Sequence, residues 1–229
     1  GNYARSHGVG LDGRLALVDP RRDRQMHAVR PTGGAWSSVN DLLAYVKLEL
    51  SGGKLDDGRR HLSESALGER WKPQISTGRH SWYGLGLDTD VSTGTVMRFH
   101  GGRLYGQRSN MVWWPEHDVG LVILMNASTG NALMDAFPRK LMELLFDAEP
   151  EADSMVAAAV ANERESREAR RRAWDFPVKP EQAAVLASRY RNDLLGELRV
   201  ENTGGNPVFH FAAFDMPMAA RVNANGAVE

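Results

Sequence analysis

The sequence predicts a mixed α/β fold of the α+β type, in which an antiparallel sheet is flanked by helices. Three strand-like runs follow one another closely, at Thr95–Phe99, Gln107–Trp114 and Gly120–Met125. Their β-branched and aromatic residues favour strands, and the glycines and proline between them favour turns, so we predict an antiparallel meander. The last run is apolar throughout, which is typical of a central strand covered on both faces.

The segments before the meander predict helices that would cover the sheet. Residues 1–30 are polar and turn-rich and carry little periodic signal. A buried helix is expected after Ser37-Ser38, where a hydroxyl can cap it, and Gly52-Gly53 would end it. A second short helix over residues 61–72 and a strand at Trp82–Leu87 complete this part of the chain.

Two further helices are expected after the meander. Residues 130–147 carry leucine, methionine and phenylalanine on one helical face, and Pro138 places the start of the continuous helix near itself. Residues 154–174 are rich in alanine, glutamate and arginine at spacings typical of an exposed helix. Glutamates balance the cluster Arg170-Arg171-Arg172, so we interpret it as a solvated helical face and not as a nucleic-acid site.

The composition divides the chain into three predicted parts. Residues 1–148 form the main domain, 149–180 a charged helical linker, and 181–229 a small, partial β-strand domain. The last part contains three hairpin-like runs, at Tyr190–Val200, Val208–Phe211 and Met218–Val222. Three strand-like runs are too few to close a β-barrel, so we expect this domain to be incomplete.

Composition also excludes several classes of function. The 229 residues are 42% hydrophobic and 25% charged, as in an ordinary folded protein. A net charge of −1 gives no reason to expect nucleic acid or an anionic membrane as a partner. The absence of cysteine excludes disulfides, thiolate catalysis and cysteine-based metal sites. No apolar run approaches the ~20 residues that a membrane helix needs, so no membrane span is predicted.

The histidines and the first residues of the chain add two expectations. The histidines show no His-x-His or His-x-x-x-His spacing, so neither a metal site nor a cofactor is predicted. The chain opens at Gly1-Asn2 without a methionine or a signal-peptide pattern. We therefore expect a fragment or a processed product.

The chemically suggestive motif is His100-Gly101-Gly102, at the end of the first run of the meander. Two glycines after a strand let another backbone approach closely and leave main-chain N–H groups for a ligand. Taken alone, a Gly-Gly pair more often marks a simple turn.

Its context resembles the C-terminal half of the class C β-lactamase-like serine hydrolases, over residues 1–147. The motifs that carry the resemblance are residues 31–53, Tyr83–Gly86, Phe99–Gly102, Pro115–Val122 and Asn126-Ala127. The family includes β-lactamases, penicillin-binding proteins, D-amino-acid peptidases and esterases. The resemblance implies an incomplete β-lactamase/transpeptidase-like fold, an acyl-serine mechanism, and a periplasmic or secreted location.

In this family a Ser-x-x-Lys serine is acylated, and a Tyr-x-Asn tyrosine helps to move the proton, because a serine hydroxyl needs an adjacent base. His100-Gly101-Gly102 matches the third motif, Lys-Thr-Gly or His-x-Gly. The resemblance implies that His100, Gly101 and Gly102 line the substrate cleft and that the backbone N–H of Arg103 is an oxyanion donor. Histidine in place of lysine favours an esterase or peptidase relative over a classical β-lactamase.

Three short segments match the other motifs by residue type alone, and we interpret these matches as coincidental. They are Ser51-Gly-Gly-Lys54, Ser38-Val-Asn40 and Tyr190-Arg-Asn192. Ser51 and Lys54 flank a predicted helix stop, so no helix would fix the lysine beside the hydroxyl. Tyr190 lies beyond the predicted hydrolase domain.

The sequence therefore predicts part of a serine hydrolase that acts on ester, amide or β-lactam bonds of a small-molecule or peptide substrate. The chain would supply the cleft strand, while the half with the nucleophile is absent. The alternative is a non-catalytic binding or interaction module derived from the same fold. Exposed sheet edges in such a partial fold also predict self-association.

Overall fold

The computed structural model describes residues 2–10, 12–194, 196–202, 206–212 and 214–229, and only the backbone of 23–25 and 27–29. The chain forms two compact units. One unit contains Gly1–Gly34 and Asp153–Glu229, and the other contains Ala35–Ala152. The predicted boundaries at residues 148 and 180 remain a prediction.

The regular elements are numbered in chain order. The strands are β1 (His7–Val9), β2 (Leu15–Leu17), β3 (Ile75–Gly78), β4 (Ser81–Tyr83), β5 (Asp88–Asp90), β6 (Met97–Leu104), β7 (Gln107–Trp114), β8 (Val119–Met125), β9 (Arg189–Asn192), β10 (Gly196–Glu201), β11 (Val208–His210) and β12 (Asp215–Pro217). The α-helices are α1 (Val39–Leu50), α2 (Glu64–Trp71), α3 (Asn131–Phe146), α4 (Ala152–Ala173) and α5 (Pro180–Ala184). None of the described helices is long and apolar enough to cross a membrane.

The unit of residues 35–152 is a six-stranded antiparallel sheet with helices packed against it. The strand order is β3-β4-β5-β6-β7-β8, so each strand pairs with its neighbour in the chain. This confirms the predicted antiparallel sheet flanked by helices. The core joins α1 to the sheet through Val46, Leu87 and Trp113, all of which are buried.

Strand β6 is longer than the sequence predicts. The expected run ended at Phe99 and left the glycines to a turn, whereas the strand continues through the glycines to Leu104. Pairing with β7 continues as far as Leu104 and Gln107, and the turn consists of Tyr105 and Gly106. Both turn residues have positive φ, at 40° and 90°, as a tight type I′ hairpin turn requires. His100-Gly101-Gly102 therefore lies inside a strand.

Strand β8 is not the central strand that its apolar sequence predicts. Among the described strands it pairs with β7 alone and forms one edge of the sheet. An apolar run indicates that both faces of a strand are covered. It does not indicate whether another strand pairs with each of its two edges. Helix α1 packs on β8 so closely that a Cβ on Gly120 would lie 2.4 Å from Val46 Cγ1.

The capping residues set the helix starts where the sequence predicts them. Ser38 forms a capping box with Asp41 at the start of α1, and Ser63 accepts the Ala66 N–H at the start of α2. Helix α3 differs, because it begins at Asn131 and runs through Pro138 instead of starting near it. Ala132, Met134 and Ala136 of α3 are buried, and this burial offsets the backbone hydrogen bond that proline removes.

The other unit contains two antiparallel sheets. Strands β1 and β2 form a hairpin, and a 3-10 helix spans Pro20–Thr32. These elements form although residues 1–30 carry little periodic signal, because short paired strands need little apolar periodicity. Strands β12-β11-β10-β9 form an antiparallel sheet. The predicted final strand, Met218–Val222, is replaced by β12 and isolated bridges at Ala220 and Val222.

Candidate active site

The second half of β6 is an open sheet edge. Strand β5 pairs with β6 only from Met97 to Phe99. From His100 to Leu104, β6 pairs with β7 and with no other described strand. Gly101, Gly102 and Arg103 are exposed, and His100 is half-buried. The four residues singled out by the sequence therefore lie together along one accessible stretch of backbone.

The turn between β4 and β5 creates this opening. Tyr83 and Asp88 are the last pair of the β4–β5 hairpin, and the Gly84 N–H donates to the Leu87 carbonyl at 2.8 Å. A Cβ on Gly84 would lie 2.8 Å from the Arg70 carbonyl oxygen, so only glycine fits there. Because the hairpin ends here, no residue of β5 extends alongside His100.

The β6–β7 turn determines which backbone groups face the opening. A two-residue turn closes on a hydrogen-bonded pair, here Leu104 and Gln107. Hydrogen-bonded and non-hydrogen-bonded pairs alternate along an antiparallel ladder, so Arg103 opposite Arg108 is a non-hydrogen-bonded pair. The N–H and C=O of Arg103 therefore point away from β7, and those of Gly101 do the same.

The two glycines of the motif also have a packing role. A Cβ on Gly101 would lie 3.3 Å from the Ser109 carbonyl oxygen, and a Cβ on Gly102 would lie 2.5 Å from Ser109 Oγ. Side chains at these positions would press against β7. The small residues thus serve the strand pairing as well as the accessibility of the edge.

A tyrosine contacts the candidate histidine. Tyr83 Oη lies 3.2 Å from Nε2 of His100, with the ring centroids 6.1 Å apart and the rings tilted by 54°. The sequence marks Tyr83 only as the first residue of a Tyr-Gly-Leu-Gly motif. Its contact with His100 depends on the pairing of β4, β5 and β6, so sequence reasoning does not find it.

Asp88 adds a carboxyl group beside this pair. It is opposite Tyr83 on β4 and opposite Phe99 on β6. Burial raises the pKa of the Asp88 carboxyl above its usual value of 3.8, and the charge of His100 acts in the opposite direction. A carboxyl group perturbed in this way is a further member of the candidate site.

In each of the three segments that match a catalytic motif by residue type, the hydroxyl group makes hydrogen bonds to nearby residues. The Ser51 hydroxyl lies 2.6 Å from the Lys54 carbonyl oxygen and accepts the Lys54 backbone N–H at 3.2 Å. The Ser38 hydroxyl caps α1 through Asp41. The Tyr190 hydroxyl accepts a backbone N–H from Ala187 at 2.9 Å. Among the described residues, no group of three or more histidine, aspartate or glutamate side chains could hold a metal ion.

Comparisons with known proteins identify this architecture. The family model described as beta-lactamase matches residues 2–144, which is more than half of the chain. The antiparallel sheet flanked by helices is consistent with the β-lactamase/transpeptidase-like fold of this family. The chain belongs to the beta-lactamase family. No curated protein matches it.

One solved structure with a TM-score above 0.5 agrees on the fold. The structure titled "Crystal structure of SurE" has a TM-score of 0.53 and 19% identity, over 98% of this chain and 52% of that one. A second, "Crystal structure of SurE with D-Leu", has a TM-score of 0.41 and 19% identity, over 86% of this chain and 42% of that one. The chain thus spans about half the length of SurE, with 52% of it covered.

Proposed function

We propose that this chain is part of a serine hydrolase that acts through an acyl-serine intermediate on ester, amide or β-lactam bonds. His100, Gly101 and Gly102 line the cleft, and the backbone N–H of Arg103 is one of the two oxyanion donors. The nucleophilic serine and its lysine lie outside this chain. The substrate is a small molecule or a peptide.

The observation that carries this proposal is the free edge of β6. A preorganised N–H that points into an accessible cleft stabilises the negative charge of a tetrahedral intermediate. The outward N–H and C=O groups of Gly101 and Arg103 can also pair with an extended substrate, as an added strand would. Family membership supports the same assignment.

The nucleophile is assigned outside the chain because the serines that match the motif have other partners. The Ser51 hydroxyl contacts backbone groups of Leu48 and Lys54, at the end of α1. The Ser38 hydroxyl contacts Asp41 at the start of the same helix. Among the described residues, no lysine side chain is a hydrogen-bond partner of either serine hydroxyl.

These contacts also favour a second function, a binding module that uses the same edge without catalysis. Labelling by a fluorophosphonate or penicillin probe, read by intact mass spectrometry, separates the two. The chain is compared with the longer product of its source gene. Labelling of the longer protein alone, at a Ser-x-x-Lys serine, supports the hydrolase. Labelling at Ser51 of this chain contradicts our assignment of the nucleophile, and labelling of neither protein favours the binding module.

Self-association is proposed as well, through the outer edge of β8. This edge leaves backbone N–H and C=O groups unpaired among the described strands. Leu124 on the same strand is 37% exposed. Open edges beside apolar side chains promote pairing between copies of a chain.

A further inference from the structure

The hydroxyl of Tyr83 is held in place by the backbone on both sides of β4. The Tyr83 carbonyl accepts the Gln74 N–H at 3.0 Å, and Tyr83 is opposite Ile75 on β3 and Asp88 on β5. A tyrosine ring has few rotatable bonds, so a fixed backbone leaves its hydroxyl little freedom. The ring is half-buried, which limits it further.

The partner of this hydroxyl is a specific nitrogen of His100. Tyr83 Oη is 3.2 Å from Nε2. A neutral imidazole carries one proton, so the nitrogen that accepts a hydrogen bond leaves the proton on the other nitrogen. A phenol hydroxyl is a good donor, and donation to Nε2 selects the form protonated at Nδ1.

We propose that Tyr83 is a positioning residue of the cleft, which fixes His100 in the Nδ1–H tautomer so that the imidazole donates a hydrogen bond to a carbonyl or carboxylate oxygen of the ligand. The inference rests on the proposed function of the β6 edge. It adds a ligand preference to that function, because His100 in the Nδ1–H form selects ligands that place an oxygen acceptor beside it over ligands that place an ammonium group there.

Two charged residues lie near the pair, and the negative charge of Asp88 opposes this preference. Asp88, on the strand next to both Tyr83 and Phe99, is the carboxyl group whose charge interacts with His100. Arg103 is exposed on the same edge three residues further along β6. Because side chains alternate between the two faces of a strand, the Arg103 side chain lies on the face opposite His100, so a ligand carboxylate beside His100 would meet the histidine donor and the outward backbone N–H of Gly101.

The experiment is ¹⁵N NMR of the imidazole nitrogens, recorded at pH 8.5 on the intact chain. The His100→Gln variant assigns the signals. In the wild type we expect the Nδ1 signal of His100 in the protonated range and the Nε2 signal in the acceptor range. In Tyr83→Phe we expect both signals to move towards the Nε2–H form. A wild-type chain already in the Nε2–H form overturns the proposal, and so does a Tyr83→Phe spectrum that matches the wild type.

Tyr105→Phe is the matched control, because it removes a tyrosine hydroxyl from the turn at the far end of β6. It should leave the His100 signals unchanged. Signals of the other histidines, together with thermal unfolding of each variant, separate a local effect from loss of the fold. The wild-type spectrum tests the proposal even if Tyr83→Phe does not fold.

The ligand preference is tested in the same samples with sodium acetate and methylammonium chloride at equal ionic strength. We expect acetate to shift the Nδ1 signal of His100 saturably in the wild type and less in Tyr83→Phe, while methylammonium has no such effect. Equal responses to the two salts contradict the preference. None of these readouts needs turnover, so their failure is distinct from a failure of probe labelling.

Discussion

Glu49 of α1 and Arg70 of α2 form an ion pair whose carboxylate is completely buried. The same carboxylate accepts hydrogen bonds from Tyr45 Oη at 2.8 Å and from Trp71 Nε1 at 2.9 Å. Burial and the bond to Glu49 raise the pKa of Tyr45 to about 12, so this hydroxyl stays protonated and donating. One carboxylate thus joins two helices through three donors.

Glu49→Ala should destabilise the protein strongly, because it leaves Arg70 and Trp71 without their acceptor. Removing one partner of a buried pair costs about 3–5 kcal/mol. Urea unfolding followed by tryptophan fluorescence measures the change. Glu64→Ala is the matched control, because its pair with Arg60 is largely exposed on the glutamate side and such pairs contribute about 0–1 kcal/mol. Equal losses in the two variants would show that the Glu49 network is not structural.

Under the proposed function, Arg103→Pro should lower acylation of the longer protein, because it deletes the N–H that we propose as an oxyanion donor. Loss of one such donor costs about 10²- to 10³-fold in kcat. Proline is tolerated where a strand N–H does not serve the sheet ladder. Arg103→Ala keeps the N–H and is the control. The rate of probe labelling is the readout, and similar rates for the two variants would remove Arg103 from the oxyanion hole.

Gly120→Ala should be destabilising by about 1–3 kcal/mol, the usual cost of overpacking a close contact. The added Cβ would meet Val46 Cγ1 at 2.4 Å and Leu50 Cδ1 at 3.4 Å. Val46→Ala in the same chain should recover part of the loss. Gly68→Ala is the control, because nothing lies within 4 Å of its Cβ position on α2, and alanine is favoured over glycine in a helix by roughly 0.5–1 kcal/mol. Thermal unfolding should therefore move in opposite directions for the two substitutions.

Leu124→Lys should reduce self-association, because a lysine on the β8 edge opposes pairing with a second copy. Leu194→Lys introduces the same change at a side chain that is 95% exposed in the other unit. Multi-angle light scattering over a range of concentrations compares them. A monodisperse monomer for the wild-type chain would refute self-association through this edge.

Asp88→Asn should flatten the pH dependence of stability in the mildly acidic range. Burial raises the pKa of Asp88 in the folded chain above 3.8, so the folded state holds this proton to higher pH than the unfolded state does. The corresponding stability is present below the unfolded pKa and is lost as pH rises through the folded value. Urea unfolding of wild type and variant between pH 3 and pH 7 gives the difference. A gap between the two curves that does not change with pH would contradict the raised pKa.

The sequence predicts where the helices and strands of this fold lie better than it predicts which of them lie side by side. The capping hydroxyls of Ser38 and Ser63 carry local information, and they place two helix starts correctly. The edge position of β8 depends on lateral pairing, which no local pattern records. The same limit applies to the site, where His100 is visible as a motif but its contact with Tyr83 depends on three strands in register.

The two-residue turn at Tyr105-Gly106 constrains how this protein can change. Whether a backbone N–H faces the cleft depends on whether its distance from the turn is odd or even. Pairing of Met97–Phe99 with β5 fixes the same orientation from the other end of the strand. Two neighbouring strands therefore require the same orientation of β6, so pairing with β5 would resist any change in the turn that rotated the outward amides away from a ligand.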